Sequence, residues 1–386
     1  MASGFDITNA RVPGGQGRQR ISVGADGAIA AIAPMAQAPA SAPTQPQYDV
    51  AGDWISRGGV DLQVNGALGL AFPELTPANR DRLAQVGTFL WQQGIDAYAP
   101  TLITSAPERV QQALAAIAQY RAAQPAREAR ILGAHLEGPF LNPDKRGAHP
   151  AQWLQPLTAQ RVRQLLGDRG DAVRIVTLAP ELDPDGHAIA ELRARGTTVS
   201  LGHSLADELQ ARAAFGQGAS MVTHAFNAMP GLHHREPGLL GATLTASGVR
   251  CGTIADGVHV CPTMLQLLLR AVQGERGAFL VSDALAPLGL PEGDYPWDGR
   301  TVTVAGGTAR LSDGTLAGTT LPLLEGARNL VRWGACAPEV AITLATEAPR
   351  AAIGEPGLAP GQPAALLRWF ADGGGELNWQ RFAPAP

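Results

Sequence analysis

Four short apolar runs in this chain each end on a residue that can bind a metal or carry a proton. The runs are 131–137, 198–203, 220–224 and 279–283, ending on Glu137, His203, His224 and Asp283. The first is cut off by Gly138-Pro139. Proline cannot continue a strand ladder, and it restricts the residue before it. The stretch His135-Leu136-Glu137-Gly138-Pro139-Phe140, entered through a short buried strand at 130–134, therefore sets a carboxylate at the C-terminal lip of a strand. Barrel enzymes keep their chemistry there. A single such glutamate is a solvated strand end by default. One Glu, two His and one Asp on four strand ends are better explained by a metal site than by four coincidences.

The rest of the pattern supplies the scaffold. Strand-like runs at 59–63, 95–99, 131–137, 173–179, 198–202, 220–223, 250–255 and 278–283 alternate with helical periodicity at 78–93, 108–120, 188–195, 207–215 and 264–273. Eight strands with intervening helices predict an α/β fold, a parallel (β/α)8 TIM-like barrel. Residues 1–57 read instead as short strands, with a hairpin (21–23 against 29–32) turning at Asp26-Gly27 and a Pro-rich connector at 38–47. A second hairpin turns at Gly306-Gly307. A loop at 316–320 then leads into helices at 323–333 and 338–346. The tail at 363–370 reads as a strand rejoining the N-terminal module. The expected division is 1–57 and 346–386 as the two parts of a small β-sandwich, with 58–345 as the barrel.

Composition narrows the class. The 386 residues are 45% hydrophobic and 17% charged, a globular balance with an ample core. The net charge is -4 and no basic stripe is present, which argues against nucleic acid. An anionic ligand must then be caught by a few local cations; these are nearly all arginine, with Lys145 the one lysine. Three cysteines without a C-x-x-C pair suit a reducing, cytoplasmic compartment, and Cys251 and Cys261 are expected to pack as small apolar groups. Arg18, Arg20 and a mildly apolar stretch mimic a leader peptide, but Asp26-Gly27 interrupts it. No run approaches the ~20 apolar residues of a membrane span.

The strand-end set carries the chemistry. Glu137, His203 and His224 offer the oxygen and nitrogen ligands of a catalytic zinc-type site, which keeps one position open for water. A divalent ion lowers the pKa of that water. Asp283, on the eighth strand, is the natural general base and then the acid for a leaving group.

The segments Asp61-Leu62-Gln63-Val64-Asn65-Gly66, His135 to Phe140, Ser200-Leu201-Gly202-His203-Ser204, Thr223 to Pro230, Arg235-Glu236-Pro237-Gly238, Ala255-Asp256-Gly257-Val258-His259 and Ser282-Asp283-Ala284 occur in this order. Together they resemble the N-acetylglucosamine-6-phosphate deacetylase family of the amidohydrolase superfamily. The resemblance runs from about residue 5 to 370. It implies a barrel with a β-sandwich built from both chain ends. It also implies hydrolysis of N-acetyl-D-glucosamine 6-phosphate to D-glucosamine 6-phosphate and acetate. The metal would be held by Glu137, His203 and His224, one divalent ion per subunit, zinc first and Fe2+ or another divalent ion as alternatives. Asp283 would be the catalytic acid/base. Ala148, His149, Asn227, Ala228, Arg235, His259 and the Leu316-Ala317-Gly318 loop would bind substrate, the loop by closing over the sugar. A homodimer is implied, in which Arg235 serves the adjacent subunit's site. His233 and His234 read as surface residues.

Two departures stand out. Gln63-Val64-Asn65 replaces the His-x-His that many amidohydrolases carry, which predicts a single tightly held metal. Ala364-Ala365-Leu366-Leu367 replaces the superfamily's Ala-Asp-Leu-Val, away from the barrel mouth. Two other readings remain: the same chemistry on N-acetylgalactosamine 6-phosphate or another amide, and a non-catalytic sugar-phosphate sensor. The intact Asp283 beside a full ligand set speaks against the sensor.

Overall fold

The computed structural model describes residues 4–38, 45–125 and 127–383. Most of the Pro-rich connector, with the end of the leader-like stretch, falls outside the described residues. Eight parallel strands, labelled β1 to β8, form the centre: Gly59–Val64, Ile95–Ile103, Ala134–Glu137, Val173–Leu178, Thr198–Leu201, Met221–Val222, Arg250–Thr253 and Ala278–Leu280. Each pairs with the next in chain order. The ring closes where the Asp283 N–H donates to the Gln63 carbonyl at 2.9 Å and the Asn65 N–H donates to the Ala284 carbonyl at 2.7 Å. All eight expected strands are present, in the expected barrel.

Two irregularities aim side chains at the mouth. Ile131 faces Tyr98 and His135 faces Thr101, so one extra residue is taken up at Leu132-Gly133, where Gly133 has φ +127°. The third strand is thus broken, not continuous from 131. β1 slips in the same way between Asp61 and Val64. Its successive residues Leu62 and Gln63 can then both face inward, Leu62 into the inner cluster and Gln63 toward Glu137. A bulge bends its strand and re-aims the side chains beyond it.

The barrel interior is filled by Val60, Leu62, Ala97, Ala99, Ile175, Met221, Ile254, Phe279 and Val281. Below them Ala348 and Ile353 close the floor, beside the helix Glu347–Ala352. The outer layer packs amphipathic helices on the strands. In Leu323–Arg332 the buried face is Leu323, Leu324, Ala327 and Leu330, the 3–4 spacing of one helix side. In Glu208–Gln217 a capping box formed by Asp207 and Gln210 fixes the start.

The turn at Gly306-Gly307 belongs to a four-stranded antiparallel sheet, Gly293–Trp297, Arg300–Ala305, Thr308–Leu311 and Leu316–Thr319. The expected loop at 316–320 is therefore mostly its last strand, paired with 308–310 and bridged to Ala284. Gly318 makes that approach possible, because a Cβ there would lie 2.6 Å from the Asp283 carbonyl oxygen.

At the other end, Phe5–Ala10, Gln19–Val23, Ile29–Pro34 and Gln47–Asp49 form one sheet, and Trp54–Arg57, Leu366–Ala371 and Leu377–Arg381 another. Ile7, Ile21, Ile29, Ile55 and Leu366 share their core. The tail does rejoin the N-terminal module. Cys251 is buried, but Cys261 is exposed. It sits before Pro262 at a helix start whose buried face is Leu265, Leu268 and Leu269.

Candidate active site

A cavity of about 320 Å³ opens at the C-terminal ends of the strands. Glu137, His203, His224 and Asp283 all line it. The backbone is locally strained there: His203, His224, Phe226, Ala228 and Asp283 have φ between +26° and +78°. Such conformations persist only when the surrounding structure imposes them, and they gather at functional sites.

Two imidazole nitrogens and a carboxylate oxygen converge on one point. His203 Nε2 lies 3.0 Å from His224 Nε2 and 3.3 Å from Glu137 Oε1, and His224 Nε2 lies 3.1 Å from the same oxygen. The tautomer of His203 is set by its other nitrogen. Nδ1–H donates to the Lys145 carbonyl at 2.8 Å, so Nε2 offers a lone pair to the centre. Ligands about 2.0–2.1 Å from a tetrahedral zinc stand about 3.3 Å apart. The donor types and spacings fit a divalent cation. Glu137, His149 and His203 also bring ligand atoms within 4.8 Å of one another. The Thr104 backbone N–H donates to His149 Nδ1 at 3.3 Å, and the Thr104 hydroxyl lies 3.0 Å from the same nitrogen. His149 Nε2 sits 3.7 Å from Glu137 Oε2.

Amides on β1 and the residue after it tie the ligand to the acid. Gln63 Nε2 donates to Glu137 Oε1 at 2.8 Å and to Asp283 Oδ1 at 3.2 Å. Asn65 Nδ2 donates to Asp283 Oδ1 at 2.7 Å. Both carboxylates accept only, so each amide must turn its NH2 group inward. Gln63 therefore presents hydrogens, not lone pairs, where a His-x-His pair would place ligands.

Electrostatics separates the groups. Burial alone would raise the Glu137 carboxyl, but the adjacent His203 and His224 imidazoles hold it well below the usual carboxylate range. Burial, reinforced by the negative charge of Glu137, pushes Asp283 up. Burial and the neighbouring His203 lower His149 to about 3, keeping it neutral. His135 is lowered to about 4 by burial and serves the core. Its Nδ1–H meets the Leu62 carbonyl and its Nε2 the Thr177 hydroxyl.

Among the expected substrate contacts, Ala148, His149, Asn227, Ala228, His259, Leu316 and Ala317 line the cavity. Gly318 lies behind them in its strand. Arg235 is exposed, beside a separate hollow with Leu205, Leu209 and Pro237, its guanidinium 2.8 Å from His234 Nε2. Sequence reasoning missed Thr104, Trp297 and Asp256. Asp256 accepts Nδ1–H of His259 at 2.7 Å and the backbone N–H groups of Val258 and His259. The signal was present: Asp-Gly-x-His is an Asx turn that places the carboxylate against the ring.

A closed parallel barrel with a buried Glu-His-His set beside an elevated carboxyl defines a metal-dependent hydrolase. The comparisons refine that class. A relative from Escherichia coli O157:H7 named N-acetylgalactosamine-6-phosphate deacetylase is 35% identical over 350 residues, 89% of this chain and 88% of its own. N-acetylglucosamine-6-phosphate deacetylase of Homo sapiens is 38% identical over 315 residues, 79% of this chain and 76% of its own. Among solved structures, a mutant of the Mycobacterium smegmatis enzyme in complex with N-acetyl-D-glucosamine 6-phosphate superposes with TM-score 0.84 at 28% identity, covering 98% of each chain. No family model matches the chain. The chain belongs to the N-acetylglucosamine-6-phosphate deacetylase family, in the amidohydrolase superfamily.

Proposed function

We propose that this chain hydrolyses N-acetyl-D-glucosamine 6-phosphate to D-glucosamine 6-phosphate and acetate, using one divalent ion, zinc by preference, held by Glu137, His203 and His224. The observation that carries this reading is the convergence of two imidazole nitrogens and a carboxylate oxygen beside Asp283. A divalent ion held there would acidify a water and polarise the acetamide carbonyl. Asp283 takes the water's proton and delivers it to the amine nitrogen as the C–N bond breaks. Gln63 and Asn65 hold its Oδ1, leaving Oδ2 for that transfer. His149 offers Nε2–H to the acetamide oxygen. His259 turns Nε2 to the cavity because Asp256 holds Nδ1. Asn227, the Ala228 backbone, Leu316 and Ala317 bound the sugar.

The test is acetate release by the purified, metal-loaded protein. One acetate and one free amine per sugar phosphate are expected; no release above the enzyme-free rate would sink the reading. The Escherichia coli relative favours a second substrate, N-acetylgalactosamine 6-phosphate, and the ratio of kcat/KM for the two sugars ranks them. Elemental analysis after dialysis should find one tightly held ion per chain.

The same reading treats the chain as a cytoplasmic homodimer, with 58–345 as barrel and both termini as sandwich. Three cysteines outside any disulfide support the compartment. Among the described residues no helix is long and apolar enough to cross a membrane. Leu205, Leu209 and Leu232 are 42%, 77% and 53% exposed, Leu205 and Leu209 beside the same hollow as Arg235. A second copy seated there would bury them and carry Arg235 toward its own cavity. Mixed dimers of Arg235→Ala and Asp283→Asn should regain activity if the arginine acts across the interface.

A further inference from the structure

Lys145 is the one lysine in a chain with 30 Lys and Arg residues. It stands on the wall of the active cavity, and no arginine is among the residues lining that cavity. Its backbone is fixed at both ends of the peptide unit. The N–H donates to the Asn142 carbonyl at 2.9 Å, and the carbonyl accepts from His203 Nδ1 at 2.8 Å. The side chain is half-buried, and among the described residues its ammonium makes no ion pair or hydrogen bond. An unpaired cation is thus tethered, through its own peptide, to a metal ligand.

We infer that Lys145 is the cation that this chain itself supplies to the substrate's phosphate, an inference that rests on the deacetylase reading. A phosphate monoester carries close to two negative charges at neutral pH, and the protein is net acidic. Arg235 does not line the cavity of its own chain. In the sugar the acetamide is on C2 and the phosphate on C6, so the two groups lie at opposite ends. A flexible four-carbon stem lets an ammonium follow the phosphate without entering the space around the reacting amide. The ammonium is also a compact point charge that binds phosphate without the flat, forked geometry a guanidinium requires. Such a contact is made equally in the ground and transition states, so it acts on KM more than on kcat.

The test compares Lys145→Met and Lys145→Arg with the wild type, each loaded with metal, on N-acetylglucosamine 6-phosphate and on unphosphorylated N-acetylglucosamine. Lys145→Met is expected to raise KM for the phosphorylated sugar about 10–100-fold, the range of one charge-assisted contact. Its kcat should stay within about twofold, and kcat/KM for the unphosphorylated sugar should be unchanged. Lys145→Arg should recover most of the KM, and competitive inhibition by inorganic phosphate should weaken only in Lys145→Met. An equal loss on both sugars, or loss of bound metal, would overturn the inference, because the residue would then act through its loop and His203. An unchanged KM in an active Lys145→Met enzyme would overturn it as well. A wild type that releases no acetate from either sugar would instead overturn the deacetylase reading and the lysine's role with it.

Discussion

The two ends of the barrel bury charge in opposite ways. At the floor, Asp96 is fully answered. Arg350 Nη2 meets Oδ2 at 3.2 Å, Arg381 Nη1 meets Oδ1 at 3.1 Å, and the Gly58 N–H donates at 2.8 Å. Arg350, only 3% exposed, also donates to the Gly58 and Thr346 carbonyls. At the mouth, His203 Nε2, His224 Nε2 and Glu137 Oε1 lie 3.0–3.3 Å from one another, and among the described residues Glu137 has no ion pair with an arginine or lysine. A buried charge with every partner present rigidifies a fold; convergent ligand atoms without one are a binding site. The backbone shows the same division. The strained residues at the strand ends are at the mouth, whereas the Arg350 helix at the floor runs as an ordinary helix.

Substitutions at each end should therefore fail differently. Asp283→Asn keeps an oxygen for the Gln63 and Asn65 amides but loses the transferable proton. kcat should fall ~10²–10⁴-fold or more, with Tm and metal content retained. Near-normal turnover would assign the base to another residue. Asp96→Ala does the reverse. It leaves two guanidiniums without their carboxylate and should cost about 3–5 kcal/mol in chemical denaturation, while kcat of the folded fraction stays near wild type. If both ends lost only activity, or both only stability, the contrast would collapse.

Asp256→Ala probes the boundary between the two behaviours. The Asp256 carboxyl would be raised by burial, but its hydrogen bond from His259 holds it below the usual range. Removing it frees the imidazole to rotate, and kcat/KM should drop about 10–100-fold, the range of one hydrogen bond to a charged group. Asp256→Asn, which can still accept Nδ1–H, should recover part of that loss.

The smallest effect is a pH slope. Burial raises Asp61 on β1 from 3.8 to about 7. A carboxyl raised on folding disfavours the native state when ionised, so its stability contribution is intact below pH 3.8 and is lost as pH rises to about 7. Asp61→Asn retains an acceptor for the Gln63 and Ser282 N–H groups that Asp61 now serves. Urea unfolding at about pH 5 and about pH 8 should show a smaller loss of stability toward the higher pH in the variant. An identical slope would show that Asp61 does not titrate in this window.

Much of this architecture could be read along the chain. Gly138-Pro139 stops a strand whatever surrounds it, and Asp26-Gly27 and Gly306-Gly307 turn hairpins because Gly27, Gly306 and Gly307 accept positive φ. Alternation of strand and helix periods marked all eight barrel strands, and the residues at four strand ends marked the candidate ligands and the candidate acid. These are local properties, settled within a few residues by steric and hydrophobic periodicity. Cys261 and the 316–320 segment depart from expectation, because burial and edge pairing depend on what packs alongside. Leu316–Thr319 is a strand because Thr308–Leu311 and Ala284 are there to pair with it.

By itself, the sequence determined that Glu137, His203, His224 and Asp283 stand at or just beyond strand ends. Only the tertiary structure decided how they meet. Barrel closure joins Gln63 to Asp283 across 220 residues, and Gln63 spans 74 to reach Glu137. The rings of His203 and His149 are oriented by the Lys145 carbonyl and by Thr104, 58 and 45 residues away. Lys145 enters the cavity and Arg235 stays outside it because of loop paths that no period encodes. Parallel pairing is non-local, so the pattern announces a lip of ligands while the contacts that give each ligand its partner, tautomer and charge form only when the ring closes.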